Sequence, residues 1–272
     1  MVLVDVMRGG HGLGNIQPAQ ADYNQIIHGG GHGDYHPIVL APASVQESID
    51  LTVLAFDLAE KYRSIAVVLT DGSIGQMMEP AELPPMQPLK TTFPDWAVRG
   101  MADGKRHVLS SINLDPPMQE RTNIRIEQRW REVKANEVRF KEYFLDDAEF
   151  VLVGFGSSGR VALSAVRAAR ARGIKVGLLR PVSLNPFPEA VLEDLSRRVK
   201  GFLVVEMNAG QMLMDVRLAT HDRVPVGFFG RMGGIMPLAE EILEEIQRMV
   251  ADPKHQAEND RERWLERMAE MK

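Results

Sequence analysis

The chain has 272 residues, of which 44% are hydrophobic and 25% are charged, a composition typical of a folded protein with a buried core. The formal net charge of −5 leaves no broad basic field for nucleic acid, and no apolar stretch approaches the roughly 20 residues that cross a bilayer. We therefore expect neither nucleic acid nor a membrane as a partner. Without cysteine the chain can form neither a disulfide nor a cysteine-bound iron–sulfur cluster, and we expect a cytoplasmic protein.

The first third of the chain predicts an α/β sheet. Three short apolar runs are the predicted strands: 2–6, 38–41 and 66–69. A helix is predicted over 44–62, where Ser44 and Glu47 form a capping box at its start. Strands that are apolar on both faces and separated by helices indicate a parallel sheet covered on two sides. Because no helix precedes the first strand, we expect this α/β unit to be incomplete at its N-terminal side.

A linker and a charged helix are predicted next. Residues 80–94 are rich in proline, which opposes regular structure, and residues 95–117 continue as a loop. Apolar residues at helical spacing then predict an amphipathic helix over 121–144. We interpret its charged face as solvated, and a partner-binding face is the alternative.

The second half predicts another parallel sheet, because strands and helices alternate from residue 148 onward. The predicted strands are 150–153, 175–179, 202–205 and 226–229, and the predicted helices are 158–172, 188–199, 212–220 and 237–250. The predicted organisation is an α/β unit at 1–94, a linker with a charged helix at 95–147, a second α/β unit at 148–250 and a polar tail at 251–272. Trp264, Leu265 and Met268 favour a short docking helix in that tail.

Residues 8–17, directly after the first strand, read RGGHGLGNIQ. Glycine permits positive φ and close approach of the backbone to a ligand, while Arg8 offers a rigid fork of donors to a carboxylate or phosphate. The pattern predicts a site for a small anion at the carboxyl edge of the sheet. The alternative is a glycine-rich turn with a solvated arginine.

A second glycine-rich turn contains Gly154, Gly156 and Gly159 in the sequence GFGSSG, between a predicted strand and a predicted helix. This is the dinucleotide fingerprint, in which a pyrophosphate binds the helix N-terminus. An NAD site also needs an acidic residue at the end of the next strand, whereas Arg180 stands there and suits the 2′-phosphate of NADP. NAD(P) binding is therefore one alternative, and a purely structural turn is the other.

Two further patterns are compatible with a metal. His28, His32 and His36 are spaced by four residues, but the glycines between them oppose the helix that would align their rings for zinc. Asp71 and Gly72 follow a strand as in a metal–pyrophosphate turn, yet the paired asparagines that would complete one are missing. We expect this chain to bind no metal by itself, and it has neither a GxSxG serine nor a cysteine nucleophile.

Five segments, taken in chain order, resemble a known family: DVMRGGHGLGNIQPAQADYNQ, GGGHGDY, IVLAPASVQE, LTDGSIGQMMEP and GRMGGIMP. They are similar to the α subunit of the 2-oxoacid:ferredoxin oxidoreductases, most of all the branched-chain 2-oxoisovalerate (3-methyl-2-oxobutanoate) type. The resemblance implies a thiamine-diphosphate pyrimidine-type domain, incomplete at its N-terminus, and a parallel α/β domain similar to the transketolase C-terminal domain. Under this resemblance GFGSSG is a structural turn of the second domain.

The implied activity is oxidative decarboxylation of a 2-oxo acid to an acyl-CoA, with ferredoxin as electron acceptor. Thiamine diphosphate would be shared with a β subunit, and Mg²⁺ and iron–sulfur clusters would lie in partner subunits only. The implied partners are β and γ subunits, and a ferredoxin-like δ subunit is a further candidate. A 2-oxoglutarate or pyruvate ferredoxin oxidoreductase subunit and a non-catalytic assembly module remain as alternatives.

The resemblance also implies roles for residues of the first loop. Arg8 would bind the substrate carboxylate, and Gln17 would be a specificity position. The glycines that would shape the loop beside the cofactor are Gly9, Gly10, Gly12 and Gly14.

One catalytic group is expected to be missing. Related chains carry about ninety further residues before the position of Met1, which agrees with the size of a complete domain. The resemblance implies that this section holds the glutamate that protonates the aminopyrimidine ring of the cofactor. Neither Glu47 nor Glu79 lies in a motif that would replace it. We therefore expect no catalytic residue in this chain and no turnover without partner subunits.

Overall fold

A computed structural model of the chain describes residues 1–86, 88–89, 91–101, 104–254 and 260–270, which form two sheets with helices packed on their faces. The strands are β1 (Val2–Met7), β2 (Ile38–Leu40), β3 (Ala66–Asp71), β4 (Phe140–Tyr143), β5 (Phe150–Val153), β6 (Val176–Pro181), β7 (Ser183–Asn185), β8 (Gly201–Glu206) and β9 (Val226–Gly230). The helices are α1 (Tyr23–Ile27), α2 (Val45–Lys61), α3 (Gly72–Gln76), α4 (Pro116–Asn136), α5 (Gly156–Ala171), α6 (Glu189–Ser196), α7 (Met212–Thr220), α8 (Ala239–Ala251) and α9 (Asp260–Glu270).

The first sheet has the order β1-β3-β2-β7, and its first three strands run parallel as predicted. β2 and β3 are buried because their residues are almost all apolar and α2 packs on them through Leu51, Ala55 and Leu58. β1 differs. It lies at the edge of the sheet, and Leu3, Val4 and Val6 are exposed. The expectation that every apolar strand is covered on two sides is therefore wrong for β1 among the described residues.

A strand from the second half of the chain completes the first sheet. β7 pairs antiparallel with β2, with Ser183 opposite Leu40 and Asn185 opposite Val39. The sequence reading missed this strand, because three residues directly after β6 are too few to show a period of their own. The predicted division at residue 148 therefore does not separate the two sheets, because β7 lies beyond it and belongs to the first sheet.

The second sheet has the order β4-β6-β5-β8-β9, parallel except for β4, which runs antiparallel to β6. The predicted helix over 121–144 is wrong at both ends. α4 begins at Pro116, where the Asp115 side chain accepts a hydrogen bond from the Met118 amide, and it ends at Asn136. The residues of β4 were assigned to that helix because their charges hide the strand alternation.

The tail docks on the second sheet through α9, as its apolar residues predicted. Trp264 is buried against Phe228, and its indole nitrogen donates a 2.6 Å hydrogen bond to the Gly230 carbonyl at the end of β9. Within the described ranges, none of the helices combines the length and the apolar character that a bilayer span requires.

Glu137 joins the end of α4 to the end of α2. Its buried carboxylate accepts hydrogen bonds from Lys61 Nζ at 2.8 Å, Tyr62 Oη at 2.6 Å and Arg139 Nη2 at 2.7 Å. Burial alone would raise the pKa of Glu137, but these three donors outweigh burial and hold its pKa at about 2. The ionised carboxylate therefore ties two helices and the start of β4 together.

Acid is expected to weaken this junction. Because the pKa of about 2 lies below the ordinary value of 4.5, the stabilisation is complete above pH 4.5 and is lost as the pH falls towards 2. Glu137→Gln should lower the free energy of unfolding by about 1–3 kcal/mol at neutral pH, and by much less near pH 3. Urea titrations at both pH values measure this, with Glu132→Gln on the exposed face of α4 as the control. A loss that does not change with pH would contradict the assignment.

Candidate functional site

The glycine loop, defined here as residues 8–17 after β1, closes on itself at the carboxyl end of the first sheet. The Gly9 amide donates to the Gln17 carbonyl and the Asn15 amide donates to the Gly9 carbonyl, both at 2.7 Å. Gly14 has a φ of +48°, and a Cβ there would lie 1.9 Å from the Gly9 carbonyl oxygen. The loop can adopt this closed shape only with glycine at that position.

Arg8 lies exposed over this loop. Its guanidinium donates to the Leu13 carbonyl and, at 3.4 Å each, to the carbonyls of Gly12 and Asn15. These carbonyls hold the side chain at the carboxyl end of β1. The same guanidinium nitrogens would bind a carboxylate in bidentate fashion if an anion replaced the carbonyls.

The four loop glycines have two different environments. A Cβ at Gly10 or Gly12 would meet nothing within 4 Å, so both positions face open space. Gly9 is buried, and a Cβ there would lie 2.5 Å from the Asn15 side-chain oxygen. Gly10 and Gly12 are therefore the positions that can lie against a ligand, while Gly9 and Gly14 shape the loop.

The far end of the glycine loop contacts the second half of the chain. Asn15 Nδ2 donates a 2.8 Å hydrogen bond to the Gly233 carbonyl, in a turn that follows β9. A Cβ at Gly234 of the same turn would lie 2.3 Å from the Cβ of Gln17. The structure thus brings two of the five family-like segments together. Both segments are recognisable in the sequence, but no local pattern marks Asn15, Gly233 or Gly234.

The dinucleotide-like turn is filled by side chains of the first sheet. Asp71 Oδ2 accepts a 3.1 Å hydrogen bond from the Ser157 amide at the start of α5, and Asp71 Oδ1 accepts one from Ser157 Oγ at 2.7 Å. A Cβ at Gly156, which has a φ of +52°, would lie 3.1 Å from the same carboxylate. Asp71 therefore occupies the place that a pyrophosphate would take at this helix N-terminus.

Gln20 closes the turn from the other side. Its side-chain nitrogen donates to the Phe155 carbonyl at 2.9 Å, and its side-chain oxygen accepts from Ser158 Oγ at 2.9 Å. Arg180, the candidate for a 2′-phosphate, is buried and donates to Glu47 at 2.6 Å instead. The NAD(P) alternative is therefore wrong, and the turn is a contact between the two sheets.

Glu47 in α2 and Glu79 beyond α3 are both hydrogen-bonded within the chain. Burial alone would raise the pKa of Glu47, but Lys141 and Arg180 outweigh it and hold that pKa below its usual value. Arg160 lowers the pKa of Glu79 through a 2.5 Å hydrogen bond. Such carboxylates stay ionised, so neither is suited to donate a proton to a cofactor ring.

The three histidines do not converge. His28 Nε2 lies 3.1 Å from Asp215 Oδ2, which also accepts a 2.6 Å hydrogen bond from Tyr23 Oη. His36 stacks on Trp130, with 4.7 Å between the ring centroids. Across the part of the chain that the structure describes, no group of three or more histidine, cysteine, aspartate or glutamate residues is placed to hold a metal ion.

Comparison with known protein families gives ferredoxin oxidoreductase matches in both halves of the chain. Residues 1–139 match the family described as pyruvate flavodoxin/ferredoxin oxidoreductase, thiamine diphosphate-binding, and residues 148–242 match pyruvate:ferredoxin oxidoreductase core domain II. The ketoisovalerate oxidoreductase subunit VorB of Methanothermobacter thermautotrophicus is 48% identical over 251 residues, covering 92% of this chain and 71% of that protein.

Two more distant matches are 2-oxoglutarate enzymes. The 2-oxoglutarate synthase subunit KorA of Methanothermobacter marburgensis is 31% identical over 277 residues, covering 92% of this chain and 73% of that protein. A solved 2-oxoglutarate:ferredoxin oxidoreductase from Magnetococcus marinus, with 2-oxoglutarate, coenzyme A and succinyl-CoA bound, has a TM-score of 0.75 at 24% identity. It covers 91% of this chain, which spans 48% of the solved chain, and it shows that the fold is shared.

Proposed function

The chain belongs to the 2-oxoacid:ferredoxin oxidoreductase family, and within that family we propose that it is the substrate-binding subunit of a 2-oxoisovalerate oxidoreductase. In the reaction the bond between C1 and C2 of the 2-oxo acid breaks, C1 leaves as CO₂, and the remaining acyl group joins the sulfur of CoA. The two electrons released pass one each to two ferredoxin molecules, and the CoA thiol loses its proton to solvent. The observation that carries the substrate proposal is the identity of 48% to the ketoisovalerate subunit, against 31% to the 2-oxoglutarate subunit.

The glycine loop supports a role in substrate binding. Arg8 presents its guanidinium at the carboxyl end of β1, where its present partners are the loop carbonyls of Leu13 and, at 3.4 Å, of Gly12 and Asn15. A substrate carboxylate is a stronger acceptor than a neutral carbonyl, because both partners are then charged. In this proposal the carboxylate replaces those carbonyls, and Arg8 orients the 2-oxo group over the open side of Gly10 and Gly12.

Thiamine diphosphate, when bound, would supply the carbon centre that adds to the 2-oxo group. The described residues fit only the substrate and ring side of that cofactor, because Gly10 and Gly12 leave open space there. Asp71 is buried between two helix ends and is not available to a metal–diphosphate group. We therefore propose that the β subunit holds the diphosphate and Mg²⁺.

We assign the iron–sulfur clusters to partner subunits, because this chain has no cysteine. β and γ subunits, with a ferredoxin-like δ subunit where present, complete the proposed complex. Glu47 and Glu79 are bonded within the chain, so the acid that acts on the cofactor ring lies outside these residues. The chain therefore contributes binding and orientation of the substrate, and we expect the isolated chain to be inactive. We place the proposed complex in the cytoplasm.

The intact complex that contains this chain tests the proposal. Ferredoxin reduction is measured with CoA and, in turn, 2-oxoisovalerate, 2-oxoglutarate and pyruvate. We expect the highest kcat/KM with 2-oxoisovalerate and no turnover by the isolated chain. A higher kcat/KM with either other acid would assign the substrate differently. A complex that oxidises none of them would favour the assembly module.

A further inference from the structure

Asn15 is the residue through which the glycine loop is tied to the second sheet. Its side-chain nitrogen donates to the Gly233 carbonyl at 2.8 Å, and its side-chain oxygen accepts from the Gln17 amide at 2.9 Å. One amide group thus fixes the loop internally and attaches it to residues more than two hundred positions away. Asn15 is exposed, so these two bonds are not needed to fill a core.

The surface opposite Asn15 is the diglycine turn, defined as residues 231–236. A Cβ at Gly234 would lie 2.3 Å from Gln17 Cβ and 2.9 Å from Asn15 Oδ1. Real Cβ atoms do not approach so closely, so any larger residue would displace the loop. A Cβ at Gly9 on the loop side would likewise lie 3.0 Å from the Gly233 carbonyl carbon. The glycine loop and the diglycine turn are therefore closely packed at two places, Gly9 against Gly233 and Gln17 against Gly234.

The same contact determines where the proposed substrate groups lie. Arg8 donates to the Asn15 carbonyl at 3.4 Å, and Gln17 receives its position from Asn15 and Gly234. A shift of the loop away from the diglycine turn would therefore move the guanidinium and the specificity position together. Misplacement of a binding group by about 1 Å is enough to weaken its contact with the substrate and so to reduce kcat/KM strongly.

We propose that Asn15 is a positioning residue for the 2-oxo acid, and that the diglycine turn is the support against which it holds the glycine loop. This inference rests on the function proposed above. It assigns the second sheet a part in substrate selection, although no residue of that sheet needs to touch the substrate.

The test uses the intact complex with Asn15→Ala and with Gly234→Ala. Each change should raise the KM for 2-oxoisovalerate about tenfold or more while kcat stays within about twofold, because binding geometry is lost and chemistry is not. The double variant should be little worse than the poorer single variant, since both changes break one contact. The ratio of kcat/KM for 2-oxoisovalerate to that for 2-oxoglutarate should also fall.

Two matched controls separate positioning from general damage. Gly173→Ala introduces a side chain at a φ of +80° with no neighbour within 4 Å, so it shares the backbone strain of Gly234→Ala without the contact. Asn185→Ala removes another amide-to-carbonyl hydrogen bond between distant segments, 2.9 Å to Pro37. Both should leave the KM unchanged.

Two results would overturn the inference while the proposed function stands. One is a wild-type KM for Asn15→Ala in an active complex. The other is an equal rise of KM in the two controls. A wild-type complex that oxidises no 2-oxo acid would instead contradict the proposed function, and the inference with it. Because Asn15 is exposed, Asn15→Ala remains decisive even if Gly234→Ala does not fold.

Discussion

Replacing Asp71 with alanine is expected to lower the free energy of unfolding by about 3–5 kcal/mol. Asp71 is 1% exposed, and its carboxylate accepts hydrogen bonds at the starts of two helices. In α3 the donors are the amides of Ser73 and Ile74, at 3.0 and 3.2 Å, and in α5 they are the amide and hydroxyl of Ser157. Alanine would remove the acceptor of all four donors, three of which are buried, and this costs more than the loss of a single helix cap.

Urea unfolding followed by circular dichroism measures this loss. Ser44→Ala is the matched control, because the Ser44 hydroxyl accepts from one amide only, that of Glu47 at 3.1 Å, at the start of α2. We expect about 1 kcal/mol for that control. The loss of stability for Asp71→Asn should lie between those for Asp71→Ala and Ser44→Ala. The asparagine amide keeps one acceptor oxygen but places a donor against the Ser157 amide. An Asp71→Ala variant no less stable than Ser44→Ala would contradict the double role.

Replacing Arg8 with alanine in the intact complex is expected to lower kcat/KM for 2-oxoisovalerate by about 10- to 150-fold, or roughly 1.5–3 kcal/mol. This is the scale of a hydrogen bond to a charged group. The stability of the chain should change by less than about 0.5 kcal/mol, because Arg8 is exposed and its partners are exposed loop carbonyls. A fall in kcat/KM with little change in stability would show that Arg8 binds the substrate and is not needed to stabilise the loop.

Arg8→Lys should recover part of the loss, because lysine keeps the charge but lacks the two-pronged geometry that matches a carboxylate. Arg131→Ala, an exposed arginine on α4, is the control for the general effect of removing a surface charge. An unchanged kcat/KM for Arg8→Ala would remove Arg8 from the site. A large loss of stability would make it a structural residue of the loop.

The turn with the dinucleotide fingerprint illustrates how a local pattern can be right about geometry and wrong about the ligand. The glycines of GFGSSG do open the N-terminus of α5, as the pattern predicts. A helix N-terminus binds whichever anion the fold presents to it. Here that anion is the carboxylate of Asp71, 86 positions earlier in the chain.

Local patterns also account for most of the elements and some of the errors. Continuous apolar runs predicted β2, β3 and β5 because burial on both faces removes the alternation that would otherwise mark a strand. The same rule failed for the exposed β1, since a run of apolar residues does not say what covers it. β4 and β7 were missed because short strands are stabilised by partners far along the chain.

The sequence by itself determined the α/β class, a glycine-rich loop after the first strand and, through the resemblance of five segments, the family. The class and the loop follow from spacing and backbone freedom among near neighbours, which a sequence shows directly. Only the tertiary structure decided that Asp71 fills the fingerprint turn, that Arg8 rests on loop carbonyls, and that Asn15 reaches Gly233. Those contacts depend on how the two sheets dock, and docking joins residues whose distance along the chain carries no information about their distance in space.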